Sequence, residues 1–265
     1  MTQYRYPSEQ VILWLTLGIL LAITILTAAP TICISPLIVA LFVGLAYYLN
    51  MAHHQKIIQS AHAVTRYASP DLFELAQDCA RRLRPAPFEL FVLRSRERNA
   101  YTFGLSDPRV VVLYSPLLTI MDEGELRFIL GHELGHIALN HTWLNTLLGG
   151  MAGVPVSFGV AIILTFAFRW WNRACEYSAD RAGLLACGSL EKATSALIKL
   201  VAGAVRSQAE MDQVMAAVDA EDDSLLGNLS ETLSSHPLVI NRIEMLREYA
   251  ASKEYADLLV KISAA

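Results

Sequence analysis

Gly131-His132-Glu133-Leu134-Gly135-His136 is the stretch of sequence that decides how this chain of 265 residues folds. It contains the pattern H-E-x-x-H. Positions i and i+4 of a helix lie on the same face, so His132 and His136 can direct two imidazoles at one metal ion. Glu133 lies one position further round the helix and can reach a water molecule beside that metal. Because only three positions of the pattern are fixed, chance matches are common, and the rest of the chain must support the interpretation.

The residues before the motif predict that it lies on a helix. Asp122 is a good N-cap, and Glu125 three residues later completes a capping-box pattern. Apolar side chains then recur at helical spacing at Leu126, Ile129, Leu130, Leu134 and Ile137. We expect this helix to continue without a stop through His141 and Trp143 into the next apolar stretch.

The composition is that of a membrane-associated protein. Hydrophobic residues make up 54% of the chain, and the net charge is −4, from 21 basic and 25 acidic residues. A slightly acidic chain without a basic patch gives no indication of nucleic-acid binding. The cysteines form no C-x-x-C pair, which favours free thiols and a reducing compartment.

Residues 1–52 are predicted to form a membrane anchor. Two uncharged apolar runs, 11–29 and 31–50, are each long enough to cross a bilayer as a helix, which takes about 20 residues. A signal peptide is the competing interpretation of the first run. It fits poorly, because a clear basic region is missing in front of the run and a second apolar run follows at once.

Both ends of this predicted transmembrane hairpin lie on the same side of the bilayer. Arg5 precedes the first run, and Lys56 and Arg66 follow the second. The positive-inside bias predicts that this side is the cytoplasm. We therefore expect an integral protein of a bacterial-type inner membrane whose soluble part faces the cytoplasm.

Residues 53–265 are predicted to form a mostly helical α+β domain. Amphipathic helices are expected at 53–67 and 71–83. Strand-forming residues are concentrated in three short segments with tight connections, which lie at 88–94, 99–104 and 110–114. This arrangement favours a small antiparallel sheet.

A catalytic zinc site has three protein ligands and an open position, so the two motif histidines need a partner. His141 is the nearest candidate in the sequence, five residues after His136. On a continuous helix it would lie about 140° round from His136 and face away from the metal. We interpret His141 as a structural or interfacial histidine.

Glu176 is a better third ligand. It lies on a second helical segment, and Asp180 shares its face one turn later. Asp180 could then accept a hydrogen bond from the outer N–H of a ligand histidine. The alternative is that both carboxylates form ordinary surface pairs with Arg173 and Arg181.

The distance in sequence between His136 and Glu176 constrains the topology. The chain must return to the same side of the bilayer within 40 positions, and two full crossings would need about 40 apolar residues. For the apolar stretch 143–171 we therefore expect a helical hairpin that turns near 149–155. Its tip would rest on or dip into the same leaflet, or pack against the first two helices or a partner subunit.

Several elements, taken in order, resemble a known family. They are Asn99-Ala100-Tyr101, then Asp122 to His136, then Glu176 to Arg181, then His236-Pro237 and Arg242-Ile243. This series resembles the membrane-anchored zinc metallopeptidases of the HtpX type, which are related to the CAAX prenyl protease. The paired apolar runs at the N-terminus add to the resemblance.

The resemblance implies a zincin-type peptidase domain and a role for each matching residue. It implies one zinc ion per chain, with His132, His136 and Glu176 as its ligands. Glu133 would be the catalytic base, and Asp180 would support a ligand histidine from behind. His236 and Arg242 would be candidates to stabilise the oxyanion, and Asn99, Ala100 and Tyr101 would form an edge strand that aligns a peptide substrate.

The predicted function is that of a membrane-bound zinc-dependent endopeptidase. We expect peptide or protein substrates, chiefly membrane proteins, and a role in their quality control or processing. The alternative from a different class is a non-proteolytic membrane scaffold or adaptor with a structural zinc. An oligomer is compatible with the sequence.

Overall fold

A computed structural model describes residues 3–28, 34–148, 159–201 and 237–263. The described chain is mostly helical with one small sheet, which confirms the predicted mostly helical α+β class. The helices are α1 (Glu9–Ala28), α2 (Ile34–Ser60), α3 (Pro70–Leu83), α4 (Leu117–Ile120), α5 (Glu123–Ala138), α6 (Thr142–Leu148), α7 (Gly159–Cys187), α8 (Leu190–Val201), α9 (Pro237–Ala250) and α10 (Lys253–Ser263). The strands are β1 (His62–Ala63), β2 (Phe88–Leu93), β3 (Ala100–Phe103) and β4 (Arg109–Tyr114).

The sheet is mixed, so the prediction of a purely antiparallel sheet is wrong. The strand order is β1-β2-β4-β3. β3 and β4 form an antiparallel pair, but β2 and β4 are parallel. The physical reason is that β3 does not lie between β2 and β4. It pairs with the other edge of β4, so β4 lies directly beside β2 and runs parallel to it.

The prediction of a separate helix at 53–67 is also wrong. α2 continues without a break from Ile34 to Ser60, and His62 and Ala63 then pair with β2 as a short antiparallel strand. The predicted boundary between 52 and 53 therefore lies inside one helix. A change in composition from apolar to polar did not interrupt the backbone hydrogen bonding of that helix.

The two faces of the sheet have different partners because successive side chains of a strand point to opposite sides. Val111 and Leu113 of β4 belong to the main core, which also contains residues of α3, α5, α7, α8 and α9. Val110 and Val112 point the other way and form a smaller cluster with Ile57 of α2. The sheet thus separates the helix that carries the motif from the polar end of α2.

Two glycines of the motif allow α5 and α7 to approach closely. A Cβ atom at Gly131 would lie 2.4 Å from the Cβ of Ala186, and one at Gly135 would lie 2.6 Å from the Cβ of Ala182. Such distances are too short for carbon atoms in contact, which need about 3.5–4.0 Å. The motif therefore fixes the packing of its own helix against the helix that carries Glu176.

The start of α5 agrees with the prediction, but its end does not. Asp122 and Glu125 form the predicted capping box, with reciprocal hydrogen bonds of 3.0 and 2.8 Å. The helix ends at Ala138 and does not continue to residue 143. Asn140 adopts a φ of 60°, a left-handed conformation that asparagine tolerates better than most residues. The chain then turns back, and the His141 amide donates a 2.9 Å hydrogen bond to the His136 carbonyl.

The N-terminal helix packs along α7. Thr16 Oγ1 donates a 3.2 Å hydrogen bond to the Ala167 carbonyl, and Ile12 packs against Phe168 and Trp171. Tyr4 belongs to the main core. The segment in front of α1 is therefore attached to the domain that carries the motif.

Among the described helices, the stretch Glu9–Leu26 is long and apolar enough to cross a membrane. The second predicted span, 31–50, includes residues 31–33, which lie outside the described residues, so the transmembrane hairpin stays a prediction. The predicted turn at 149–155 also lies outside the described residues.

The burial of His54 leads us to expect a loss of stability at acid pH. The residue is 7% exposed, and its ring stacks on Phe103 with ring centroids 3.7 Å apart and has no described partner for Nδ1. Burial, and then the nearby His53, lower the pKa of His54 to about 4. The unfolded chain therefore binds a proton near pH 6.5 that the folded chain does not, and stability falls between these two values.

We expect the free energy of unfolding to decrease by about 2 kcal/mol between pH 7.5 and pH 5 because of this one group. His54→Phe keeps a ring against Phe103 but cannot bind a proton. Denaturant unfolding at both pH values should show a smaller acid loss in the variant by that amount. Equal losses in the two proteins would contradict the assignment.

Candidate active site

Three side chains from α5 and α7 converge on one point. The Nε2 atoms of His132 and His136 lie 3.2 Å apart. In the Glu176 carboxylate, Oε2 lies 3.5 Å from Nε2 of His132 and Oε1 lies 3.5 Å from Nε2 of His136. The predicted ligand set is thus brought together, and it is one of the groups of described residues whose geometry could hold a metal ion.

Asp180 and Arg242 support this set from behind. Asp180 Oδ1 lies 3.0 Å from Nδ1 of His132. Arg242 donates two hydrogen bonds to the Asp180 carboxylate, of 2.6 and 2.8 Å, and its Nη1 lies 3.1 Å from Glu176. The alternative pairing of the two carboxylates with Arg173 and Arg181 is therefore wrong. Arg242 lies 62 positions after Asp180, so simple helical spacing could not predict this contact.

The electrostatics of the site favour ionised carboxylates. Burial opposes ionisation, but the guanidinium of Arg242 and hydrogen bonds from the histidines hold the pKa of Glu176 well below its usual range and lower that of Asp180. Burial likewise opposes protonation of His132, but the hydrogen bond to Asp180 and the charge of Glu176 raise its pKa. A negative charge is therefore held where a cation would bind.

Glu133 faces the same site and has a partner that the sequence prediction missed. Thr102 Oγ1 donates a 2.6 Å hydrogen bond to Oε2 of Glu133. Thr102 lies on β3, opposite Val111 of β4. Strand alternation could have found it, because residues 100 and 102 must share the face that is turned away from Tyr101 and Phe103.

A cavity of about 300 Å³ opens between β3 and the motif helix. Its walls include Asn99, Ala100 and Tyr101 on one side and Glu133 and Arg242 on the other. β3 is at an edge of the sheet, and no described strand pairs with its outer side. The predicted substrate-aligning residues therefore lie beside the candidate catalytic groups.

His141 lies behind His136 and is not one of the three converging ligands, which agrees with its interpretation as a structural histidine, but the reason given for its direction is wrong. Its Nδ1 is 3.0 Å from Nδ1 of His136, and its Nε2 is 3.1 Å from Oε1 of Glu9. The expectation assumed a continuous helix, whereas α5 ends before His141. Burial, and then the neighbouring His136 and Arg5, hold the pKa of His141 well below its usual value, so the imidazole is neutral.

Glu9, the first residue of α1, is 1% exposed. Its carboxylate is therefore buried. It accepts hydrogen bonds from Arg5 and from the hydroxyl of Ser178. In the sequence, Glu9 stands out only as a single acidic residue directly in front of an apolar run. That signal could not identify a partner 132 positions away.

His236, the remaining predicted site residue, lies outside the described residues.

Residues 69–250 match the sequence profile of peptidase family M48, and this match covers more than half of the chain. This chain belongs to peptidase family M48. The membership confirms the resemblance to HtpX-like metallopeptidases and the prediction of a membrane-associated metallopeptidase, which is a hydrolase. The scaffold alternative is not favoured.

Several curated proteins resemble this M48 chain. It is 31% identical over 212 residues to a plastoglobule-localized metallopeptidase 48 of chloroplasts from Arabidopsis thaliana, covering 74% of this chain and 61% of that relative. It is 26% identical over 227 residues to a protease HtpX homologue of Ralstonia pickettii, covering 74% and 79% of the two chains. A protease HtpX homologue of Aquifex aeolicus is 24% identical over 253 residues, with 81% and 84% covered.

Proposed function

We propose that this M48 chain is a membrane-bound, zinc-dependent endopeptidase that cleaves membrane proteins, in their quality control or processing. The observation that carries the proposal is the convergence of His132, His136 and Glu176 at distances of 3.2 to 3.5 Å. Glu133 faces the same cavity, beside the edge strand β3. Two imidazoles and a carboxylate with a nearby glutamate are the set that zinc peptidases use.

The chemistry of the donor set fits one zinc ion. The carboxylate of Asp180 only accepts hydrogen bonds when ionised, so in the neutral tautomer His132 carries its proton on Nδ1 and has a free electron pair on Nε2. That pair points at the same place as the Glu176 oxygens. A group of electron-pair donors without protons needs a cation, and zinc binds nitrogen and carboxylate oxygen well.

A zinc ion held by His132, His136 and Glu176 would supply Lewis acidity for the activation of water and the polarisation of a carbonyl group. The protein supplies the proton transfers. Glu133 accepts a proton from the attacking water and delivers it to the leaving amine. Thr102 holds the Glu133 carboxylate by its hydrogen bond, which orients the free lone pairs of Glu133 toward the cavity. Arg242 remains beside Glu176 and keeps that carboxylate ionised.

The substrate would bind as an added strand. Within the described part of the chain no strand pairs with the outer side of β3, so its backbone groups can bind an extended peptide there, and Asn99, Ala100 and Tyr101 line the adjacent cavity. This arrangement would put a peptide bond next to Glu133. We assign stabilisation of the oxyanion to His236, with Arg242 as the second candidate.

We propose that α1 and the apolar part of α2 anchor the peptidase domain to the cytoplasmic side of a bacterial-type inner membrane. α1 runs antiparallel to α7, since Glu9 meets Ser178 and Thr16 bonds to Ala167. Trp14 and Trp170 therefore lie at the same height, and both are exposed, at 71% and 44%.

Tryptophan side chains at one height are typical of a membrane interface. Glu176 lies six residues above Trp170 on α7, which is about 9 Å along the helix axis. This height supports a site close to the bilayer surface, where loops of a membrane protein could reach it. An oligomer is compatible with this arrangement.

The proposal predicts that metal removal abolishes cleavage. Purified protein in detergent should digest an unfolded substrate such as casein, lose this activity when a chelator removes the metal, and recover it when one equivalent of zinc per chain is restored. Appearance of peptides, followed by mass spectrometry, is the measurement. A zinc-loaded protein without cleavage of casein or membrane proteins would favour the scaffold with a structural zinc instead.

A further inference from the structure

We propose that Glu9, acting through His141, is a positioning residue for the zinc ligand His136. The inference rests on the proposed zinc site and extends it to the first residue of the membrane helix. It concerns how one ligand imidazole is oriented.

The three side chains form a continuous chain of contacts. Nδ1 of His136 lies 3.0 Å from Nδ1 of His141, and Nε2 of His141 lies 3.1 Å from Oε1 of Glu9. His141 and Glu9 are each 1% exposed. Water therefore does not compete at His141 and Glu9. Nδ1 of His136 and both ring nitrogens of His141 each have one partner among the described residues.

Proton positions in this chain can be arranged in one way that leaves a ligand nitrogen free. The Glu9 carboxylate is paired with the Arg5 guanidinium and therefore accepts from His141, which donates from Nε2. The contact between the two Nδ1 atoms then needs one acceptor, and Nδ1 of His141 supplies it. His136 must then donate from Nδ1, and its Nε2 keeps a free electron pair directed at the metal position. Without the carboxylate, His141 could reverse its tautomer, and two N–H groups would then face each other.

Each motif histidine is thus connected, directly or through His141, to a buried carboxylate that is paired with an arginine. His132 contacts Asp180 directly, and that carboxylate is neutralised by Arg242. His136 reaches Glu9 through His141, and that carboxylate is neutralised by Arg5. A carboxylate behind a ligand histidine fixes its ring and raises its basicity. The second of these supports comes from the N-terminal segment and α1.

The cluster of Glu9, His141 and Cys175 could also suggest a second metal site, since its ligand atoms lie close together. The Arg5 guanidinium contacts the same carboxylate oxygen that His141 uses. A positive charge already occupies the position where a cation would have to bind. The contacts therefore favour a positioning role over a second metal ion.

The test compares Glu9→Gln with a matched control, Glu125→Gln. Both glutamates are nearly inaccessible, at 1% and 2% exposure, and each pairs with a cation and a serine. The partners are Arg5 and Ser178 for Glu9, and Lys199 and Ser195 for Glu125. Zinc dissociation constants are measured by competition with a chromogenic chelator, and melting temperatures by thermal unfolding.

We expect Glu9→Gln to weaken zinc binding by about 10- to 100-fold. Glu125→Gln should lower the melting temperature but change the dissociation constant by less than about twofold. His141→Phe should weaken zinc binding to a similar degree, and adding Glu9→Gln to it should have little further effect. Equal zinc affinity in Glu9→Gln and wild type, or additive effects in the double variant, would overturn the proposal.

A second measurement decides the matter if Glu9→Gln does not fold. Long-range ¹H–¹⁵N spectra of the zinc-loaded wild type, compared with His141→Phe for assignment, report which nitrogen of His141 carries the proton. We expect a neutral ring protonated on Nε2, and protonation on Nδ1 would overturn the inference. A wild-type chain that binds no zinc would contradict the proposed function itself, which is a distinguishable result.

Discussion

Glu133→Gln is expected to lower the turnover number for peptide cleavage by about 10²- to 10⁴-fold, which is the range for loss of a general base. The amide has almost the same shape and can still accept the 2.6 Å hydrogen bond from Thr102. It cannot take a proton from water. Glu133 is not one of the three converging ligands, so zinc binding should stay within about threefold of wild type.

Turnover of a fluorogenic peptide and zinc content per chain are the two measurements. Glu123→Gln is a suitable control, since Glu123 lies on the same helix but its side chain is 72% exposed. That variant should retain normal turnover. A Glu133→Gln enzyme with full zinc and full activity would remove Glu133 from the mechanism.

The parts of the site that could be predicted from the sequence are those with local geometry. The capping box at Asp122 and the spacing of His132 and His136 follow from the helix period alone. Asp180 was predictable as the support of a ligand histidine because it lies one turn after Glu176. The family resemblance indicated that Glu176 and Asp180 belong with the motif and not with the nearby arginines.

The parts that could not be predicted depend on contacts between distant segments. The mixed sheet arises because β3 pairs outside β4, a choice between strand orders that the strand patterns leave open. The position of His141 depends on a left-handed residue, Asn140, in a sequence that is otherwise compatible with a continuous helix. Glu9 joins the site by tertiary packing of α1 on α7, for which the sequence contains no pairwise signal.

Arg242 was predicted in part. The sequence analysis named it as a candidate to stabilise the oxyanion, and the structure shows that it neutralises two carboxylates. It donates to Asp180 and lies 3.1 Å from Glu176, and its side chain is 18% exposed. Removing one partner of a buried charge pair costs about 3–5 kcal/mol, since the remaining charge is left without compensation. We therefore expect Arg242→Met to reduce the unfolding free energy of the zinc-free protein by about that amount.

The loss should be smaller in the zinc-loaded protein, since the charge of zinc compensates Glu176 in place of the guanidinium, and the uncompensated charge on Asp180 remains. Denaturant unfolding with zinc and with chelator measures both values. Arg181→Met is the control, because Arg181 pairs with Glu254, whose side chain is 43% exposed and is solvated by water when the pair is lost. Equal losses for Arg242→Met with and without zinc would show that zinc does not neutralise Glu176, and would contradict its role as a ligand.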